Sequence, residues 1–244
     1  SKNFSQEALN RHAATMRMRG RPKVVLARTY EEAQKLYDKY SDNTLGVISD
    51  ARFPLKSAAK AFGNEMMPEV KPKHRTDTFG REKCPDAGLQ LFRYIRKNDP
   101  FVPLIIESSE SENRAKAEAE GFRFVDKNSK KMSVDLRRLM EEHMGFGDFI
   151  FRDPKTHEEI MRIHSLKELQ DNIFNIPNDS MLYHISRNHM SRWLCARAIF
   201  PVSAFLKHVT WEKLQDVDAH RQIIFDAIVQ YRHMKNIGVV AVFD

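Results

Sequence analysis

Apolar residues recur at two periods along this chain, and the shift between them marks out its elements. "KVVLA" (23–27), "LGVIS" (45–49), "VPLIIES" (102–108) and "FRFVDK" (122–127) are short, nearly continuous apolar runs and read as strands buried on both faces. Between and after them, apolar positions fall three and four apart. "TYEEAQKLYDKY", "AGLQLFRYIRKN", "SENRAKAEAEG" and "SVDLRRLMEEHMG" therefore read as amphipathic helices. Thr29 followed by Glu32 is a capping box for the first of these, and Gly121 closes the third. Upstream, residues 3–19 carry Phe4, Ala8, Leu9, Ala13, Thr15 and Met16 on one helical face, stopped by Gly20 and Pro22. The order β-α-β-α-β-α-β-α with short connections predicts a parallel sheet with helices on both faces. One connection is long: residues 55–87 hold Pro68, Pro72 and Pro85 and many basic residues, a loop length associated with function or disorder.

The texture changes from His143 onward, a region that contains both tryptophans and eight of the ten histidines. "DFIFRDPKTHEEIMRI" predicts a hairpin turning at Asp153-Pro154. "SLKELQDNIFNI" predicts a helix, "SMLYHISRNHMSRWLCARAIF" a longer helical segment, and "VDAHRQIIFDAIVQYRHMKN" another. The expected organisation is an α/β domain over 1–143 and a small, mainly α-helical domain over 144–244.

Composition narrows the class. Of the 244 residues 41% are hydrophobic, enough for real cores. No apolar run approaches the ~20 residues of a membrane helix, and the N-terminus has no signal-peptide core. Cys84 and Cys195 are the only cysteines, which argues against a disulfide framework and points to the cytoplasm. The formal charge is +7. Its bases are mostly interleaved with acids, and only Arg17, Arg19, Arg21 and Lys23 cluster densely, so nucleic-acid binding through that cluster and the basic loop is the weaker alternative function.

In open parallel sheets, chemistry sits beyond the carboxyl ends of the strands. Asp50, Ser108 or Ser109, and Lys127 all fall there. A carboxylate at that edge can attack a phosphoryl group to give an acyl phosphate, whose oxygens a hydroxyl and an ammonium can hold. The plainer alternatives are a strand-end ion pair for Asp50 and Lys127, and helix capping for the serines. Elsewhere, Arg187, Asn188 and Arg192 could bind an anion or form a solvated helix face. His184 and His189 lie five apart and His157 and His164 seven apart, spacings that do not favour zinc on a helix. Tyr183, Ile185, Met190, Trp193 and Leu194 read as core, and Cys195 as a buried thiol.

"LGVISDARFP", "VPLIIESSES" and "GFRFVDKNS" resemble the third, fourth and fifth strand ends of a response-regulator receiver domain, over about residues 20–143. The resemblance implies a flavodoxin-like fold with Asp50 as phosphoacceptor, Ser108 as switch hydroxyl, Lys127 as phosphate-contacting lysine and Phe124 as switch aromatic. Gly88 matches the glycine opening the third helix. Two departures stand out. Asn128 replaces the usual proline, and no first strand with its Mg²⁺-holding acidic pair is found, so "KVVLA" matches the second strand. The expectation is a chain that starts inside its domain. Asp50 is then part of an incomplete Mg²⁺ site, completed only if the acidic pair precedes Ser1.

"RMRGRPKVVLA", "NTLGVISDARFP", "MGFGDFIFR" and "LYHISRNHMSRWLCAR" together resemble the N-terminal region of phosphoenolpyruvate synthase/pyruvate phosphate dikinase-like proteins. This implies a regulatory segment of a phosphotransferase rather than a catalytic chain, and no glycine-rich phosphate loop is present. The implied partners are the parent enzyme's other domains, a histidine kinase, and a second copy of the chain. If the first strand is missing, "IGVVAVF" (237–243) or a partner would have to fill its place in the sheet.

Overall fold

The computed structural model describes residues 22–55 and 83–237. The expected helix 3–19, most of the loop 55–87 and nearly all of 237–243 lie outside them. The described chain is mixed α/β and divides into two compact units, Lys23–Arg138 and Leu139 onward.

In the first unit, β1 (Val47–Asp50), β4 (Leu104–Ser108) and β5 (Arg123–Asp126) form a parallel sheet in the order β1-β4-β5. The register sets Asp50 opposite Glu107 and Ser108 opposite Asp126. The central strand is the most apolar, and Leu104, Ile105 and Ile106 are all buried. Helix α1 (Tyr30–Tyr40) starts where expected, with the Glu32 N–H donating to Thr29 Oγ1 at 3.2 Å. The Glu32 carboxylate reaches back to the Arg28 N–H at 2.8 Å, one residue earlier than a capping box requires. Helix α2 (Ala87–Asn98) buries Gly88, Leu91, Phe92 and Ile95, one stripe at three- and four-residue spacing. Helix α3 (Glu112–Ala119) ends in a left-handed turn at Gly121, φ 73°, with the Phe122 N–H returning to the Ala117 carbonyl at 2.8 Å. Phe122 then meets Phe92 edge-on at 5.3 Å in the core. A short ribbon, β2 (Phe53–Pro54) with β3 (Lys83–Cys84), brackets the long connection.

One expected strand does not form. Residues 23–27 are irregular, and Val24, Val25 and Leu26 are 95%, 57% and 70% exposed. A strand needs a neighbour for its N–H and C=O groups, and no described strand offers one to this segment. Among the described residues the parallel sheet accordingly has three strands where the sequence pattern predicts four.

The run "SVDLRRLMEEHMG" forms α4 (Met132–His143), which runs across the sequence division between the units. The second unit opens with an antiparallel hairpin, β6 (Phe149–Arg152) and β7 (Glu159–Ile163). Asp153 Oδ1 builds its turn by accepting the N–H groups of Lys155 and Thr156 at 2.7 and 2.9 Å. The helices are α5 (Leu166–Asn172), α6 (Asn178–Ser186), α7 (His189–Ala196), α8 (Phe200–His208) and α9 (Val217–Ile237). The segment 180–200 is thus not one longer helix. Asn188 at φ 54° and Ala198 at φ 60° break it. Asn188 tolerates the left-handed conformation, and its side-chain oxygen accepts the Ser191 hydroxyl at 2.6 Å. The break turns Met190, Trp193 and Leu194 into the core.

Several polar groups in this core find partners, although the buried Ser180 Oγ has none among the described residues. Trp193 Nε1 donates to the Gly147 carbonyl at 3.2 Å, and Arg197 donates to the Gly145 and Gly147 carbonyls at 2.7 and 2.6 Å. Arg221, 3% exposed, donates to the carbonyls of Ile173 and Ile176, each at 2.5 Å, and tethers α9 to the loop before α6.

Candidate functional site

Three neighbouring strands end together in the first unit, and their exits converge. Asp50 closes β1, Glu107 and Ser108 close β4, and Lys127 follows β5. They line one cleft of about 150 Å³ together with Arg52 and Lys83. Parallel pairing fixes the geometry: residues opposite each other project from the same face. Asp50 and Glu107 therefore stand side by side, and the Lys127 N–H bonds to the Ser108 carbonyl at 3.0 Å.

The Lys127 ammonium bonds to Asp50 Oδ1, with Glu107 Oε2 4.0 Å away. The Glu107 side chain is 15% exposed against 50% for Asp50. Burial, opposed by Lys127 and reinforced by the Asp50 charge, pushes the Glu107 carboxyl above its ordinary range. Arg52 spans the cleft to Glu110 at 3.0 Å, and its Nε is buried without a partner.

Ser108 is buried, and its Oγ accepts from the Glu110 N–H at 3.1 Å and from Asn113 Nδ2 at 2.9 Å. Both lone pairs are thus engaged, which leaves its O–H to donate. The bond to Glu110 is a turn before α3 rather than a helix cap. Ser109 contributes its carbonyl, which accepts from Asn128 Nδ2 at 2.8 Å. Asn128 therefore ties the β5 exit to the β4 exit, a bond that a proline there could not make. Phe124 is half-buried against the core, with the Arg114 guanidinium 4.7 Å from its ring centroid. Gly88 is required by packing: a Cβ there would lie 2.3 Å from the Asp50 carbonyl oxygen. Its N–H donates to the Ala51 carbonyl at 3.0 Å, holding α2 against the strand exit.

The described donor set does not fit Mg²⁺. That ion takes octahedral oxygen coordination, whereas here two carboxylates face an ammonium already bonded to one of them. Among the described residues no group of three or more His, Cys, Asp or Glu is arranged for a metal.

The second unit collects the remaining candidates. Arg187 donates to the Tyr183 carbonyl at 3.3 Å and lies 4.1 Å over the Tyr183 ring, so its guanidinium is engaged by its own helix. Arg192 lies on α7 and is half-buried. Met190, Trp193 and Leu194 are buried core, with Ile185 packed against them. Cys195 is half-buried, and burial pushes its thiol up, away from thiolate chemistry. His157 sits in the hairpin turn, while His164 Nδ1 lies 3.0 Å from Asp148. Of the basic cluster, Arg17, Arg19 and Arg21 lie outside the described residues.

Sequence reasoning missed Glu107 and the Arg52–Glu110 bridge. Glu107 carried a signal, a charge inside an otherwise apolar strand, but its neighbour on β1 is set by register. The Arg52–Glu110 bridge joins residues 58 apart and leaves no local trace. No family model, curated protein or solved structure matches this chain.

Proposed function

We propose that the unit Lys23–Arg138 is a receiver-like regulatory module with Asp50 as its phosphoacceptor. On this reading the chain is a regulatory and docking region of a phosphoenolpyruvate synthase-like phosphotransferase. The observation that carries the site is the Asp50–Lys127 ion pair at neighbouring strand exits, with the Ser108 hydroxyl in the same cleft. A carboxylate oxygen of Asp50 attacks the phosphorus of a small donor such as acetyl phosphate. The new O–P bond forms as the donor's P–O bond breaks, and the electron pair leaves with acetate. Lys127 neutralises charge on the transferred group, and the Ser108 O–H is free to donate to one of its oxygens.

Intact-mass measurement tests this. The full-length protein incubated with acetyl phosphate and Mg²⁺ should gain about 80 Da, and its Asp50→Asn variant should not. No adduct in the full-length wild type would overturn the phosphoacceptor role. That outcome would favour the second reading, a pseudoreceiver acting through protein contacts alone. The second reading is supported by Glu107, whose carboxylate beside Asp50 repels an incoming phosphoryl group. A histidine kinase is a partner only under the first reading, whereas the parent enzyme's other domains and a second copy of the chain are partners under either.

A further inference from the structure

Two imidazoles meet inside the second unit, across the break between α6 and α7. His184 Nδ1 and His189 Nδ1 are 3.0 Å apart. On the other side of the His184 ring, the backbone N–H of Arg152 in β6 donates to Nε2 at 3.3 Å. A neutral imidazole nitrogen that accepts a hydrogen bond carries no proton. The His184 proton therefore sits on Nδ1 and is donated to His189 Nδ1, which leaves the His189 proton on Nε2. The chain Arg152 N–H to His184 to His189 has one consistent assignment, and it requires both rings to be neutral. A proton added to His184 Nε2 would face the Arg152 N–H. A proton added to His189 Nδ1 would face the His184 N–H. The first event breaks the bond between hairpin and α6, and the second the bond between α6 and α7.

The surroundings oppose such a proton. The rings of Phe149, Phe151 and Tyr183 lie 5.0, 5.2 and 5.0 Å from that of His184. The charged and titratable groups acting on the pair are Arg152 from β6, His143 from α4, Arg187 from the helix junction and Arg192 from α7. All are cationic or able to become so. Burial first, and these charges second, push His184 down to about 3 and His189 well below its ordinary value.

We propose that His184 and His189 form a proton-sensitive latch that, while neutral, holds the hairpin β6–β7 to helices α6 and α7. The unfolded or released form takes up protons at the ordinary imidazole value of 6.5, and the latched form resists them. The contribution to stability is therefore complete above 6.5 and falls as pH drops from there towards the depressed values.

Imidazole ¹⁵N spectra of the whole chain at about pH 7.5 should show His184 as the Nδ1–H tautomer and His189 as the Nε2–H tautomer. Amide hydrogen exchange, corrected for intrinsic rates, should accelerate at least about tenfold across Phe149–Ile163 between about pH 7.5 and 5, with β1, β4 and β5 unaffected. The double variant His184→Gln/His189→Asn keeps an acceptor for each donor but cannot titrate, and it should lose this acceleration. The latch is overturned by an Nε2–H tautomer at His184, by wild-type hairpin exchange that ignores pH, or by a response that survives in the double variant. If that variant fails to fold, the wild-type tautomers and exchange decide alone.

Discussion

At Gly88 a single absent methyl group decides whether the candidate site can assemble. The glycine lets α2 start against the Asp50 carbonyl, and its own N–H is bonded to Ala51. Backbone, unlike a flexible side chain, cannot swing aside. Gly88→Ala should therefore cost about 1–3 kcal/mol, read as a lowered urea midpoint, and should shift the NMR resonances of Asp50 and Ala51. The same site shows how neighbours reassign a residue's chemistry. Ser108 has the hydroxyl that phosphate binding would use, yet Glu110 and Asn113 already occupy its acceptor capacity. Glu107 shares Lys127 with Asp50 because register places it there, and its burial makes its charge the costlier of the two.

Elements formed where local chemistry and a tertiary partner agreed. Thr29 caps α1 as its position predicts, and the helix carries Glu31 and Glu32 in its first turn, where the dipole favours acids. Thr29 is itself buried at 2% exposure, so its lost bond would not be replaced by water. Thr29→Ala should cost about 1 kcal/mol, measured as the change in unfolding free energy of the first unit. Residues 23–27 have the same β-branched character as β1 but find no adjacent strand among the described residues, and they stay irregular. In the second unit, periodicity across 180–200 is continuous enough to predict one helix. Asn188 breaks it because a local side-chain bond to Ser191 stabilises the turn, and because turning there buries Trp193.

Among the described residues, the two units have separate apolar cores with no residue in common. Phe92, Ile95, Leu104 and Ile106 anchor one; Phe151, Leu169, Trp193 and Ile228 anchor the other. Energetic coupling is weak between sites that share no partners. Phe92→Ala should therefore cost about 3–5 kcal/mol in the first unit and Trp193→Ala a similar amount in the second. Hydrogen exchange resolved by residue should show each loss confined to its own unit. Exchange that rises equally in both would mean a single cooperative fold.

The sequence alone determined the elements whose cause is local: the capped α1, the apolar stripe of α2, the Gly121 stop, the central strand 104–108 and the turn at Asp153. It also determined that Asp50, Ser108 and Lys127 stand at strand exits, since that follows from element order. Tertiary structure alone decided what those residues touch. Register set Glu107 beside Asp50, a fold-back over 58 residues set Arg52 against Glu110, and the Asn188 turn closed His184 onto His189. These contacts depend on pairing and packing between distant segments, energies that no local pattern of apolar and polar residues encodes.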